Sequence, residues 1–242
     1  MNLIIDVGNT FVKLAVFKES DLVYKDTVLI DDIRDRVDAL NTKFPAITNA
    51  IISSVGRLGD TDYDFIAFHF KVLVLNSNTK LPFKNGYSTP TTLGNDRLAL
   101  VAAAVHQYPN KHVLVIDAGT CITYDFITIN ADYLGGAISP GIKMRYESLH
   151  NLTANLPLLE AAVPHDIIGN STNQSIHSGV VYGVLKEIEG VKEAYHQKYS
   201  DLTVILTGGD ANFLSKQLKS SIFANSNFLL EGLNFILQFN SN

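Results

Sequence analysis

Short apolar runs, each closed by glycine or small polar residues, set the rhythm of the first half of the chain. Residues 3–7 are apolar apart from Asp6, residues 8–10 read Gly8-Asn9-Thr10, and residues 11–17 return as a second apolar run. That pattern predicts a buried strand, a tight turn and a returning strand, with Asp6 at the lip. Residues 22–30 predict a third strand and 31–40 a charged, exposed helix. A buried strand follows at 50–55, ending in Gly56, then a helical spacing over 63–70 and another strand at 72–75. Residues 76–95, rich in Asn, Ser, Thr, Pro and Gly, predict a loop of unusual length, and loops that long inside a compact fold are usually functional or disordered. They open onto a helix at 96–107, dense in Ala and Leu, which Pro109-Asn110 ends.

The second half repeats the opening. Residues 113–116 predict a strand, Asp117-Ala118-Gly119-Thr120 the turn, and 121–127 the returning strand. Asp6 and Asp117 lie 111 positions apart, too far for a solenoid repeat and suited to two related domains. A strand over 133–141 then ends in a Pro-Gly turn, a helix starts over 142–149, and 155–173 is loop-like. A long helix is expected over 174–199, with Gly179 and Gly183 four apart, a spacing that lets another helix approach closely. A strand at 202–206 ends in Thr207-Gly208-Gly209-Asp210, and helices follow at 211–219 and 228–239. This alternation predicts an α/β fold with a sheet in each half, divided into domains at 1–110 and 111–242. Two hairpins facing each other across a cleft would grip a phosphate chain from both sides.

Bulk properties narrow the function. The 242 residues are 46% hydrophobic and 18% charged, the composition of an ordinary soluble protein. A formal charge of −5 and the absence of any Lys/Arg run argue against a nucleic-acid partner. No apolar stretch approaches the roughly 20 residues of a membrane span, and Asp6 interrupts the first run too early for a signal peptide. Cys121 is the single cysteine, so no internal disulfide is possible and a cytoplasmic location is expected. Neither G-x-x-x-x-G-K-[ST] nor G-x-G-x-x-G nor G-x-S-x-G occurs, and the seven histidines form no zinc-binding pattern.

Two kinds of chemistry remain. A turn such as Gly8-Asn9-Thr10 presents successive backbone N–H groups in a concavity suited to phosphate, with Lys13 nearby; an ordinary hairpin accounts for the same residues. At Gly94-Asn95-Asp96-Arg97 a carboxylate and a guanidinium stand together where a helix begins. Asp96 at such a place is explained by capping alone. Arg97 is suited to a carboxylate ligand, which a guanidinium holds with two parallel hydrogen bonds, leaving Asp96 to take a proton.

Asp-x-Gly-Asn-Thr with Lys13, Gly-x-Asp-Arg at 94–97, Asp-x-Gly-Thr at 117–120, Gly135-Gly136 through Pro140-Gly141, and Thr207-Gly208-Gly209 occur in that order. The ordered set resembles the type III pantothenate kinases, members of the acetate and sugar kinase, Hsp70 and actin superfamily, over essentially the whole chain. The resemblance implies two RNase-H-like domains, actin-like ATPase in type, with the nucleotide in the cleft between them. It implies an ATP-dependent kinase that phosphorylates the primary hydroxyl of pantothenate, the first step of coenzyme A biosynthesis. Asp6, Val7, Gly8, Asn9, Thr10, Phe11, Val12 and Lys13 match the first phosphate motif, with Asp6 holding Mg²⁺ through water; Thr120 matches the second. Asp117 matches the position of a monovalent cation, K⁺ or NH₄⁺, and Thr207-Gly208-Gly209 the adenosine motif. Tyr87, Gly94, Asn95, Asp96, Arg97 and Thr172 match pantothenate contacts, Asp96 being the proton acceptor. Members of the family are homodimers with the pantothenate site at the subunit interface.

The residue types suit such a reaction. Phosphoryl transfer passes through a loose transition state, so positioning and charge neutralisation dominate, and a carboxylate suffices to take the proton late. The alternative from another class is a non-catalytic accessory or regulatory relative with the same ATP-binding fold, which would be expected to have lost Asp6 or Asp96. A third reading, a nucleotide hydrolase or sugar kinase, is disfavoured because the second half lacks room for large insertions. Cys121 stands where the family often has alanine, and an inert, buried thiol is expected there.

Overall fold

A computed structural model describes residues 1–8, 10–54, 58–218 and 222–241. The chain forms two compact units. One comprises Met1–Pro109, Ala131–Tyr133 and Asn227–Asn242, the other Asn110–Asn130 and Leu134–Ser226.

In the first unit, β1 (Asn2–Val7), β2 (Phe11–Lys18) and β3 (Asp21–Leu29) form an antiparallel meander. The chain then crosses by α1 (Ile33–Lys43) to β4 (Asn49–Ser54), and by α2 (Asp60–His69) to β5 (Lys71–Val74). β4 runs parallel to β1 and β5 parallel to β4, giving the order β3-β2-β1-β4-β5. Strand alternation assigns the two faces. Leu3, Ile5 and Val7 share a core with Val12, Leu14, Ala50 and Ile52, covered by Ile33, Val37 and Leu40 of α1 and Ile66 of α2. Burying each aliphatic side chain of this kind contributes about 1.5–3 kcal/mol. The opposite face carries Asn2, Ile4 and Asp6. There the Asn2 amide donates to Asn234 Oδ1 at 2.8 Å, which places α8 (Phe228–Ser241) against it. α8 also packs on α3 (Asn95–Gln107), where any side chain at Gly232 would strike the Ala99 carbonyl oxygen.

The second unit repeats this topology. β7 (Val113–Ala118), β8 (Cys121–Ile127) and β9 (Asp132–Pro140, of which Leu134 onward belongs to this unit) form the meander, and β10 (Thr203–Thr207) and β11 (Phe223–Ala224) extend it in the order β9-β8-β7-β10-β11. β10 is parallel to both β7 and β11. Leu114, Ile116, Ile122 and Tyr124 pack against Ile142 and Tyr146 of α4 (Ile142–Asn151), and against Val184 and Ile188 of α6 (Gly183–Lys198). α5 (Thr172–His177) reaches α6 through one π-helical segment, Ser178–Tyr182. Glu187 is the polar hub of the unit. It accepts hydrogen bonds from Tyr124 Oη at 2.8 Å and Ser139 Oγ at 2.5 Å, and pairs with Arg145. Burial opposes ionisation of Glu187, yet these donors outweigh it and hold the carboxyl below its ordinary value.

The elements expected from the pattern are present, with differences in detail beyond the division of the helix expected over 174–199. The helix expected from residue 31 begins as a 3₁₀ turn at Ile30–Asp32. The long loop holds a short strand, β6 (Lys84–Asn85), which pairs in parallel with Asp132 and Tyr133 of the same unit. β11 lies just past residues 219–221, where the helix expected over 211–219 ends outside the described residues; its described part, α7, is Ala211–Ser215. The ends of the strand expected at 50–55 and of the chain likewise fall outside them, at residues 55–57 and 242. A single cut after residue 110 does not match the packing, because residues 131–133 and α8 belong to the first unit. An apolar helix at the end of the chain carries no sign of which sheet it covers. Among the described residues, no helix is long and apolar enough to cross a membrane.

Candidate active site

Within the first unit the site begins at the C-terminal end of β1. Asp6 is paired in register with Lys13 on β2 and with Ser53 on β4, so the three side chains share one face of the sheet. Lys13 Nζ lies 3.6 Å from Asp6 Oδ2, with the lysine half in solvent and the aspartate side chain 11% exposed. Burial pushes the Asp6 carboxyl above its ordinary value; Lys13 pulls it down and the negative charge of Asp96 pushes it up again. The protein thus holds a carboxylate that it solvates poorly, close to a second one. A cation bound there is stabilised by both.

The turn after β1 is closed by the Gly8 N–H donating to the Phe11 carbonyl at 2.9 Å. A side chain at Gly8 would sit 3.1 Å from that same oxygen, tighter than ordinary contact. Thr10 and Phe11 are exposed, whereas Val7 and Val12 pair across the strands and point into the core. Any contact that these two valines make to a ligand therefore runs through their backbone. Asn9 lies outside the described residues.

The start of α3 supplies the second group. Asn95 donates its amide to the Leu75 carbonyl at 3.0 Å, tying the helix start to the end of β5. Asp96 Oδ1 accepts from the Arg97 N–H at 2.8 Å, which fixes the carboxylate in the first turn, where the helix dipole favours an anion. A Cβ at Gly94 would strike Asp96 Oδ1, so a side chain there would push the carboxylate out of this bond. Arg97 is buried, with its guanidinium carbon 5.5 Å from the centre of the Tyr87 ring. Tyr87 in turn stacks on Tyr133 at 6.1 Å and 15°. The structure therefore brings together Asp6, Lys13 and Asp96 through charge, and Arg97 and Tyr87 through ring contact. Two participants escaped the sequence reading. Tyr133 gave no signal beyond being aromatic. Ser53 gave a faint one, a polar pair closing a buried strand.

In the second unit Asp117, the last residue but one of β7, stands in register with Thr123, and Thr120 is exposed in the following turn. The Gly119 N–H closes this turn on the Cys121 carbonyl at 2.9 Å. Two glycines press against it. At Gly141, a Cβ would strike the Gly119 and Thr120 carbonyl oxygens; at Gly208, where φ is +95°, it would strike the Ala118 carbonyl and Asp117 Oδ1. The Thr207-Gly208-Gly209 segment thus lies directly against the Asp117 turn. Thr172, exposed, opens α5 beside a cavity of about 660 Å³ that Leu149, Leu156, Asn170 and Ile176 also line.

A family model described as type III pantothenate kinase matches residues 2–194. The type III pantothenate kinase of Christiangramia forsetii is 54% identical over 240 residues, covering 99% of each chain. Among solved structures, a Campylobacter jejuni protein assigned to the Baf family of transcriptional activators superposes with a TM-score of 0.64 at 21% identity, over 99% of each chain. A glucokinase from an Antarctic psychrotroph superposes at 0.54 with 12% identity, over 98% of each. At those identities the two structures show the fold alone, the one shared by sugar kinases and actin-like ATPases.

Proposed function

Because this chain belongs to the type III pantothenate kinase family, we propose that it transfers the γ-phosphoryl group of ATP to the primary hydroxyl of pantothenate. The products are 4′-phosphopantothenate and ADP, and the reaction opens coenzyme A biosynthesis in the cytoplasm. The observation that carries the residue roles is the convergence of Asp96 on the Asp6–Lys13 pair at the C-terminal ends of the first sheet's parallel strands. Open α/β sheets bind ligands at such ends.

Arg97, buried and backed by Tyr87, receives the pantothenate carboxylate, with Gly94, Asn95 and Thr172 as further contacts. Asp96 accepts the proton of the attacking hydroxyl as the new O–P bond forms and the bond to ADP breaks. Lys13, Thr10 and the backbone of the first turn receive the phosphates, as does Thr120 of the second turn. Asp6 and the nearby Asp96 offer carboxylate oxygens, which would suit Mg²⁺, a hard ion that keeps most of its water. Mg²⁺ supplies neutralisation of the phosphate charge. Asp117 holds the monovalent cation, K⁺ or NH₄⁺. The working species is a homodimer. The non-catalytic alternative gains no support from the family match.

The test is a single assay. Purified protein with Mg-ATP and pantothenate, with and without potassium, is expected to form phosphopantothenate detectable by mass spectrometry. ATP binding without product under any cation condition would overturn the assignment in favour of an accessory role.

A further inference from the structure

Ser53 is fully buried, and its hydroxyl has no hydrogen-bond partner among the described residues. A buried hydroxyl left unpaired costs about 1–3 kcal/mol, and native interiors rarely tolerate one without a reason. Its position supplies the reason. β4 lies parallel to β1 with Ser53 opposite Asp6, and Ala50 and Ile52 point into the α1/α2 core, so Ser53 points the other way. On that face the row across three strands reads Lys13, Asp6, Ser53. Neighbouring strands stand about 4.8 Å apart, which is the span of two hydrogen bonds through a single water.

We propose that Ser53 is a positioning residue of the phosphoryl-donor site: its hydroxyl hydrogen bonds a water in the shell of the divalent ion carried by Asp6. The inference rests on the kinase reading above and adds a residue to it. Asp6 is thereby flanked on one side by Lys13, a charge that competes for its carboxylate, and on the other by a neutral hydroxyl that competes for nothing. An ion that keeps its water needs acceptors and donors at water distance as much as direct ligands, and a hydroxyl serves as either. Among the described residues, no hydrogen-bond partner within the fold accounts for the Ser53 hydroxyl.

The test reads metal binding directly. Manganese binding in the presence of ADP is followed by electron paramagnetic resonance for the wild type, Ser53→Ala and Ser53→Cys. Cysteine keeps the volume and loses most of the hydrogen bonding. Both variants are expected to bind Mn²⁺ about three- to tenfold more weakly. The ligand-free melting temperature should be unchanged or higher, and the KM for pantothenate unchanged. Wild-type affinity in both variants would overturn the proposal, as would a lowered melting temperature of the ligand-free protein, which would mean a structural role. A wild type that binds no Mn²⁺ with ADP would instead remove the kinase reading, and this inference with it.

Discussion

The two hairpins share a plan and differ in one partner. In both, an aspartate is the last residue but one of a strand, a glycine N–H closes the turn at 2.9 Å, and the chain returns antiparallel. Across from Asp6 stands Lys13; across from Asp117 stands Thr123. The second turn is also pressed by Gly141 and Gly208, at places where no side chain fits. One sheet topology, used twice, thus carries two electrostatic settings. The first pairs a buried carboxylate with the Lys13 ammonium at 3.6 Å. In the second, the residue opposite the carboxylate is the neutral Thr123, whose hydroxyl donates to Asp125 at 3.2 Å. If the two turns divide the work as proposed, a single cross-strand position is where they differ.

The largest expected effect lies on the first unit's side of the comparison. Asp96→Asn should lower kcat by about 10²–10⁴, the usual contribution of a positioned base, while ADP affinity stays close to wild type. Equal losses in turnover and nucleotide affinity would mean that Asp96 acts on the donor instead.

Lys13→Thr gives the first hairpin the second one's partner. It should raise the KM for ATP about tenfold or more, since a hydrogen bond to a charged group contributes about 1.5–3 kcal/mol. An unchanged KM would dissolve the distinction between the turns.

The smallest effects are on stability and have opposite signs in the two units. The Asp6 carboxyl is held above its ordinary value of 3.8, so its ionised form costs stability at neutral pH, and the cost is relieved as pH falls. Asp6→Asn should therefore melt higher than wild type at pH 7, with the gap closing under acid. Glu187 is held below its ordinary value of 4.5, so its stabilisation is present above that value and is lost as pH falls through the lower one. Glu187→Gln should melt lower at pH 7, with that gap also closing. Thermal melts across pH check both.

Much of this was legible in the chain because both hairpins are continuous apolar runs broken by Asp-x-Gly. The run at 94–97 is explained by capping on its own residues, and its place in the ordered set of motifs is what marks it as a candidate site. What stayed hidden depended on register or distance in sequence. Ser53 looks like any serine until β4 is laid beside β1. Tyr133 supports Tyr87 from the far side of the α3 and β8 segments. Glu187 reads as a surface charge on a helix until Ser139, Arg145 and Tyr124 are seen to converge on it. The apolar stripe of α8 announces a helix but not its sheet, and its packing on α3 draws the last residues back into the first unit.

The division of labour is tested most directly by calorimetric ADP affinity, measured as Mg²⁺ and K⁺ are varied separately, for Asp6→Asn and Asp117→Asn. Asp6→Asn is expected to lose its response to Mg²⁺ and keep that to K⁺, and Asp117→Asn to do the reverse. Two variants that lose both responses alike would contradict that division.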